Sequence, residues 1–344
     1  MLGNNRQYCL KSRPIGEVCA DNFALIESKV HPPEEGHVQV KVLYASVDPA
    51  MRGWLKEGKS YMPPVGIGEV MRAIGIAKVM ISQDPAYQAG DYVVGLFGIQ
   101  EYVTANAKAL FLNKIESPID PITRYLSALG MPGMTAYFGL LDVGKVQAGE
   151  TVVVSGAAGA VGSLVGQIAK IKGCRAIGIA GGENKSNYVV NELGFDACID
   201  YKSENVRKSL EKHCPDGINI YFDNVGGDTL EDALANLAMH ARIVICGAIS
   251  QYNQNGPMKG PSNYMSLLVH RATMQGMVVF DYLRQYPEAI IQMAQWMKQG
   301  QLKAREHIVE GIENFPETLS MLFKGLNMGK LVLKIENDLQ YQKS

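Results

Sequence analysis

The pattern of apolar and polar positions changes character near residue 121. Before it, Val38, Val40 and Val42 alternate with Gln39 and Lys41, the period of a strand with one buried face. His31-Pro-Pro-Glu-Glu-Gly36, just ahead, is a turn signal. Further short strands are predicted at 73–79, 92–96 and 101–104. Pro63-Pro64, Gly66, Gly68, Gly90 and Gly98 separate them. Many short strands at close intervals, from about Phe23 to Ala109, predict a small barrel-like β domain.

Beyond residue 121, helix and strand alternate. Residues 126–141 are apolar with a helical pattern, broken by Met131-Pro-Gly133. Thr151, Val152, Val153 and Val154 form an unbroken β-branched run, as in a strand buried on both faces. Val161, Leu164, Val165, Ile168 and Ala169 then line one face of a helix. Strands at 175–180, 195–199, 218–222, 242–246 and 275–279 follow, with helices at 183–193 and 203–213. Gly194 is a natural terminator of the first helix. Another opens at Asp228-Thr-Leu-Glu231, with Leu230, Leu234 and Leu237 beneath it. This is the pattern of an α/β fold, a doubly wound parallel sheet of about six strands. After 302 come a strand, a helix at 314–324 and a strand at 330–335, which could rejoin the first domain. The expected division is 1–122 for the β domain, 123–301 for the dinucleotide-type domain and 302–344 for the return. A chain of 344 residues is long for one core, which agrees with two domains.

The candidate chemistry begins where the β-branched run ends. Ser155-Gly-Ala-Ala-Gly-Ala-Val-Gly162 joins that strand to the helix after it. Strand, glycine-rich turn and helix form the context in which backbone N–H groups approach a pyrophosphate. Ala157 stands where the strict fingerprint has its first glycine. The alternative is a glycine loop in some other βαβ unit. About twenty residues on, an acid would bind the ribose hydroxyls of NAD. Here the second strand ends Ile179-Ala-Gly-Gly182, and Lys185 follows. Loss of the carboxylate and gain of a cation suit the 2′-phosphate of NADP. The plainer alternative for Lys185 is a solvated lysine in a helical first turn. Asn224, in Asp223-Asn-Val-Gly-Gly227, ends the fourth strand, where a cofactor ribose or amide would lie. Tyr252, in Ile245-Cys-Gly-Ala-Ile-Ser-Gln-Tyr252, could donate to a developing oxyanion, or serve only structure.

Composition narrows the field further. With 33 basic and 34 acidic residues and no charge block, neither nucleic acid nor an anionic membrane surface is an expected partner. No apolar run reaches spanning length, and MLGNNRQYCL lacks the layout of a signal peptide. Six scattered cysteines without a CxxC pair suggest free thiols in a reducing cytoplasm and no structural metal.

Taken together, these segments resemble the medium-chain dehydrogenase/reductase superfamily over nearly the whole chain. Within it they resemble the zinc-independent prostaglandin reductase and alkenal reductase group, including a bacterial curcumin-reductase branch. The resemblance rests on Ser46-Val-Asp-Pro-Ala-Met-Arg-Gly53, Leu129-Gly-Met-Pro-Gly-Met-Thr-Ala-Tyr137 and the glycine turn. It continues in Glu192-Leu-Gly-Phe-Asp196, Tyr221-Phe-Asp-Asn-Val-Gly-Gly227 and Cys246-Gly-Ala-Ile-Ser-Gln-Tyr-Asn253. Gly311-Ile-Glu-Asn314 and Gly325-Leu-Asn-Met-Gly-Lys330 close the set. Two segments depart from the family. Ala50 replaces the usual aromatic residue, and the loop after Tyr252 is shortened.

The resemblance implies a GroES-like β-barrel domain, a Rossmann domain and NADPH as cofactor. It implies Lys185 and Tyr201 at the 2′-phosphate, and Ala158, Gly159, Ala160 and Val161 at the pyrophosphate. Asn224 would meet the ribose. Cys246, Gly247, Ala248, Ile249, Tyr252, Met277, Val278 and Val279 would flank the nicotinamide, with Thr135 and Asn327 also on the cofactor. Tyr252 would act at the reacting centre, and Tyr61 would border the substrate. The implied reaction is hydride transfer to the β-carbon of an α,β-unsaturated ketone or aldehyde. Quinone reduction and a non-catalytic NADPH sensor stay open at this stage. A homodimer is expected by analogy.

Overall fold

The computed structural model describes residues 4–58 and 60–335. Three residues of the N-terminal stretch considered above lie outside that range. The chain forms two contact units. One joins the residues up to Leu126, Glu306–Asn327 and the chain from Leu331; the other joins Ser127–Arg305 and Met328–Lys330.

The first unit opens with a hairpin the sequence pattern did not announce, β1 (Asn4–Leu10) against β2 (Phe23–Lys29). At its centre lies β3 (His37–Ser46), followed by the short helix α1 (Ala50–Trp54). Antiparallel partners of β3 are β4 (Ile74–Ser82) and β6 (Tyr102–Asn106). Outward from β4 come β5 (Tyr92–Leu96) and β7 (Asn113–Lys114). Val38, Val40 and Val42 are buried, as their alternation requires. Gln39 is buried too, although alternation would expose it. Its Nε2 donates to the His31 carbonyl at 2.9 Å, so the His31 turn packs over that face.

The second unit begins with a correction. Met131-Pro-Gly133 does not break a helix; it starts one, α2 (Met131–Phe138). Proline is tolerated in a first turn because its missing N–H has no helical partner there. Gly133 is needed because a Cβ would stand 1.8 Å from the Ala128 carbonyl oxygen. Then follow β8 (Thr151–Ser155), α3 (Gly162–Ile171), β9 (Arg175–Ala180), α4 (Glu183–Asn187) and β10 (Ala197–Asp200). Next are α5 (Val206–His213), β11 (Ile218–Asp223), α6 (Gly227–Leu234) and β12 (Leu237–Ile245). The unit ends with α7 (Ser266–His270), β13 (Thr273–Gly276) and α8 (Tyr286–Lys298). Leu237, expected beneath the helix, opens β12 instead. The last strand stops at Gly276, so Val279 begins a 3₁₀ turn and does not end a strand.

These six strands are parallel, in the order β10-β9-β8-β11-β12-β13. Chain order reverses between β8 and β11. In such sheets ligands bind outside the carboxyl ends of the strands at this switch point. Val152, Val153 and Val154 of β8 are fully buried. Each contributes about 1.5–3 kcal/mol by leaving water.

The remaining elements, β14 (Glu306–Glu310), α9 (Phe315–Phe323) and β15 (Lys330–Lys334), return to the first unit. They extend its sheet to the order β14-β15-β3-β4-β5-β7. The Phe315 ring packs 5.4 Å from Tyr8 and 5.1 Å from Phe23, and the Tyr8 hydroxyl donates to the Glu313 carbonyl. Met328–Lys330 belong to the second unit because the Gly329 N–H donates to the Ala158 carbonyl at 2.8 Å.

Candidate cofactor and active site

β8 delivers Ser155 and then the turn. Gly156 sits at φ +64°, and the Gly159 N–H closes back on its carbonyl at 2.9 Å. A Cβ on Gly162 would stand 2.3 Å from that same carbonyl oxygen, so the turn closes this tightly only with glycine there. Among the described residues, the N–H groups of Ala158 and Val161 donate to no backbone acceptor, whereas the parallel bridge between Gly159 and Gly329 engages the Ala160 N–H. Two such donors just before the ten-residue helix α3 suit an anionic pyrophosphate. Ala157 is fully buried and its N–H donates to the Ile179 carbonyl. Its methyl group occupies the space over Gly178, where a Cβ would approach to 2.8 Å. The departure from the strict glycine pattern is therefore a packing choice.

Across the switch point, β11 ends in a buried hub that sequence reasoning passed over. Asp223 is 1% exposed. Its Oδ1 accepts from Ser155 Oγ at 3.0 Å, the Tyr221 hydroxyl at 3.2 Å, and the N–H groups of Val225 at 3.0 Å and Gly226 at 2.9 Å. Burial pushes the Asp223 carboxyl above its usual range, against the pull of these donors. Its carbonyl accepts from the N–H groups of Cys246 and Gly247. One residue thus ties β8, β11 and the loop after β12 together. Asn224 is held there as well: its N–H donates to Ser155 Oγ and its Nδ2 to the Ser155 carbonyl at 2.7 Å. The signal that could have found Asp223 was an acid closing an apolar run just before two glycines.

The loop after β12 carries Cys246, Gly247, Ala248 and Ile249, with Tyr252 at its end. Burial, and secondarily Asp223, push the Cys246 thiol up to about 12, so at neutral pH it is a neutral packing group. The Tyr252 hydroxyl oxygen accepts the Ala248 N–H at 3.1 Å, folding the ring back over its own loop. The Met277 N–H donates to the Ile245 carbonyl, which sets Met277, Val278 and Val279 just past the sheet's carboxyl edge. Thr135, on α2, is buried and donates to the Met131 carbonyl.

At the far side of the same edge, β9 ends in Gly181-Gly182 and no acid stands in that slot. Tyr201, half exposed, lies over Gly181, where a Cβ would come within 2.7 Å of its ring. Lys185 lies in α4, and burial followed by the nearby Lys202 charge lowers its pKa. The second unit therefore assembles the turn, Asn224, the Tyr252 loop, Lys185 and Tyr201. Tyr61, an exposed side chain, and Asn327 belong to the first unit. Among the described residues no group of three or more His, Cys, Asp or Glu side chains could hold a metal ion. No helix among them is long and apolar enough to cross a membrane.

A barrel-like β unit joined to a Rossmann unit with an anion-ready turn defines a class, the two-domain nucleotide-dependent oxidoreductases. Comparison with known proteins places the chain within it. Residues 6–112 match the family described as the N-terminal domain of oxidoreductase, and residues 160–299 the family described as zinc-binding dehydrogenase. The chain is 42% identical to the NADPH-dependent curcumin reductase of Escherichia coli (strain K12), over 97% of this chain and 98% of that one. It is 39% identical to the NADP(+)-dependent 2-alkenal reductase of Nicotiana tabacum, over 97% and 98%. The crystal structure of CurA from Vibrio vulnificus in complex with NADPH superposes with a TM-score of 0.91 at 42% identity, covering 96% of this chain and 99% of that one. The chain belongs to the medium-chain dehydrogenase/reductase family, in its reductase group.

Proposed function

We propose that this chain is an NADPH-dependent reductase of activated carbon–carbon double bonds, taking α,β-unsaturated ketones and aldehydes. The observation that carries the reading is near-full-length similarity to enzymes named for curcumin and for alkenals. Both substrates hold a double bond conjugated to a carbonyl. NADPH, when bound, supplies a hydride to the carbon β to that carbonyl. The chain's task is to hold the reactants and to accommodate the charge that gathers on the carbonyl oxygen. Lys185 and Tyr201 would hold the 2′-phosphate end, the turn at 158–161 the pyrophosphate and Asn224 the ribose. Cys246 to Ile249, Met277 to Val279, Thr135 and Asn327 would border the rest of the cofactor. Tyr61 would border the substrate.

Tyr252 is the donor we assign to the carbonyl oxygen. Its hydroxyl oxygen already accepts the Ala248 N–H, which draws electron density from the O–H bond. Hydrogen bonds in a chain polarise one another, so the phenolic proton becomes the better donor. Solvent completes the reaction by protonating the α-carbon. The test is loss of absorbance at the NADPH band with a panel of enones, enals, quinones and alcohols. Turnover confined to the conjugated carbonyls is expected. Turnover confined to quinones, or cofactor binding without turnover on any compound, overturns the reading.

We further infer a cytoplasmic homodimer. Supporting it, β13 is the end strand of its sheet, with one edge unpaired among the described residues. Tyr264, Met265, Leu268 and Val269, on and just before α7, expose large apolar side chains. All six cysteines are free thiols, in keeping with a reducing compartment. Light scattering at micromolar concentration is expected to give twice the 37.5 kDa chain mass. A monomer mass overturns the dimer.

A further inference from the structure

The chain leaves the parallel sheet after β13 and passes through a 3₁₀ turn, Val279–Gln285, into α8. The sheet fixes the start of this segment, since the Met277 N–H donates to the Ile245 carbonyl at 3.1 Å. A second hold comes from α2. That helix runs on into a π turn, Gly139–Val143, closed by the Gly144 N–H on the Gly139 carbonyl at 2.9 Å. Single π turns of this kind occur frequently at functional sites. A Cβ on Gly139 would stand 2.7 Å from Met277 Sδ and 2.6 Å from the Phe222 ring. The Met277 thioether therefore rests against the Gly139 backbone, and glycine there makes the room.

Phe138 and Asp142 are four residues apart, the spacing that puts two helical side chains on one face. Both meet Tyr282. The Phe138 and Tyr282 rings stack with centroids 4.4 Å apart and planes 12° from parallel, and the Tyr282 hydroxyl donates to Asp142 Oδ2 at 2.6 Å. Burial, followed by the Asp142 hydrogen bond, pushes the Tyr282 phenol up to about 12, so it keeps its proton at neutral pH and stays the donor. Tyr286 adds a longer stacking contact to Phe138, at 6.3 Å, and its hydroxyl donates to the Val279 carbonyl at 3.4 Å. Met277 to Val279 are thus gripped at one end by β12 and Gly139, and at the other by the Tyr282 and Tyr286 rings on Phe138. Holding reacting groups in place matters in any transfer step, because a misplacement of about 1 Å can cost about 10²-fold in rate.

We propose that Tyr282 is a positioning residue for the nicotinamide half of the cofactor: through Asp142 and Phe138 it holds the segment 277–279 in place against α2. The proposal rests on the NADPH reading above, in which Met277 to Val279 border the cofactor. Tyr282 acts through that segment and does not touch the nucleotide.

The test compares equilibrium binding of NADPH with that of adenosine 2′,5′-bisphosphate, which has the adenine end and the 2′-phosphate but no nicotinamide. Nucleotide fluorescence follows the first and calorimetry the second, and kcat on an enone is measured beside them. Tyr282→Phe keeps the stacked ring and removes only the hydroxyl. It is expected to weaken NADPH and to lower kcat, each by about three- to tenfold, the size of one hydrogen bond. Bisphosphate affinity should stay within about twofold, because the adenine end is untouched. Asp142→Ala should behave as Tyr282→Phe does, and Asp142→Asn, which keeps an acceptor oxygen, should restore most of the loss. The double variant Tyr282→Phe with Asp142→Ala should be no worse than either single one, as for two partners of one bond. Additive losses in the double variant, or equal weakening of both ligands by Tyr282→Phe, overturn the proposal. Unchanged NADPH affinity and kcat in Tyr282→Phe remove the positioning role and leave the NADPH reading standing. If the wild type binds NADPH no more tightly than the bisphosphate and reduces no conjugated carbonyl, both fall together.

Discussion

Replacing Asp223 by leucine is expected to lower the melting temperature by roughly 10 °C or more. The size follows from what the carboxylate holds: a serine hydroxyl, a tyrosine hydroxyl and two backbone N–H groups, on a residue 1% exposed. Leucine accepts none of them. Each buried donor left without a partner costs about 1–3 kcal/mol, and some recover weaker partners, so a loss of about 3–5 kcal/mol is expected. In a unit of this size 1 kcal/mol moves the melting point by about 2–4 °C. Asparagine keeps one carbonyl oxygen for the Val225 and Gly226 N–H groups, so Asp223→Asn should lose much less. Thermal unfolding of the two variants gives the comparison. A leucine variant that melts with the wild type would falsify the hub.

The pH dependence of that experiment has a definite sign. Burial raises the Asp223 carboxyl above its usual range, so the folded state holds a proton more tightly than the unfolded chain does. The stabilisation this provides is complete below the ordinary carboxylate range and is lost as pH rises through the elevated folded value. Asp223→Asn cannot titrate. Its deficit against the wild type should therefore be largest in acid and shrink towards neutrality.

The fold was legible where burial is uniform along an element. Arg175–Ala180 is a strand in its predicted bounds, because a residue run buried on both faces needs no partner to be read. The one-sided strand β3 was legible in period but not at Gln39, because the His31 turn that buries it comes from elsewhere in the chain. Pro132 and Gly133 read as breakers by composition. Their position at a helix start, and the Ala128 carbonyl against Gly133, decide otherwise. The site divides in the same way. The turn at 156–162 was legible because its local sequence carries both strand and helix. Asp223 and Tyr282 were not, because each does its work on residues from a neighbouring strand or turn. Asn224 was picked out one residue beyond Asp223, whose carboxylate holds the Ser155 that orders Asn224.

Tyr252→Phe is the second large effect, expected on kcat. A donor aimed at a developing oxyanion is worth about 2.7–4 kcal/mol, so turnover on a saturating enone should fall by roughly 10²- to 10³-fold. Phenylalanine keeps the ring and removes the oxygen. Because that oxygen accepts the Ala248 N–H, the variant also leaves a loop donor unpaired, and a loss of activity alone is ambiguous. The two causes separate on the cofactor. A loop that merely loosened would weaken NADPH binding, since Ala248 lies in the loop ordered by the Asp223 carbonyl. Loss of the oxyanion donor instead leaves nucleotide affinity near its wild-type value while kcat falls. Full activity in Tyr252→Phe would move the role to another donor. Reduced activity that tracks reduced NADPH affinity would make Tyr252 a structural brace for its loop.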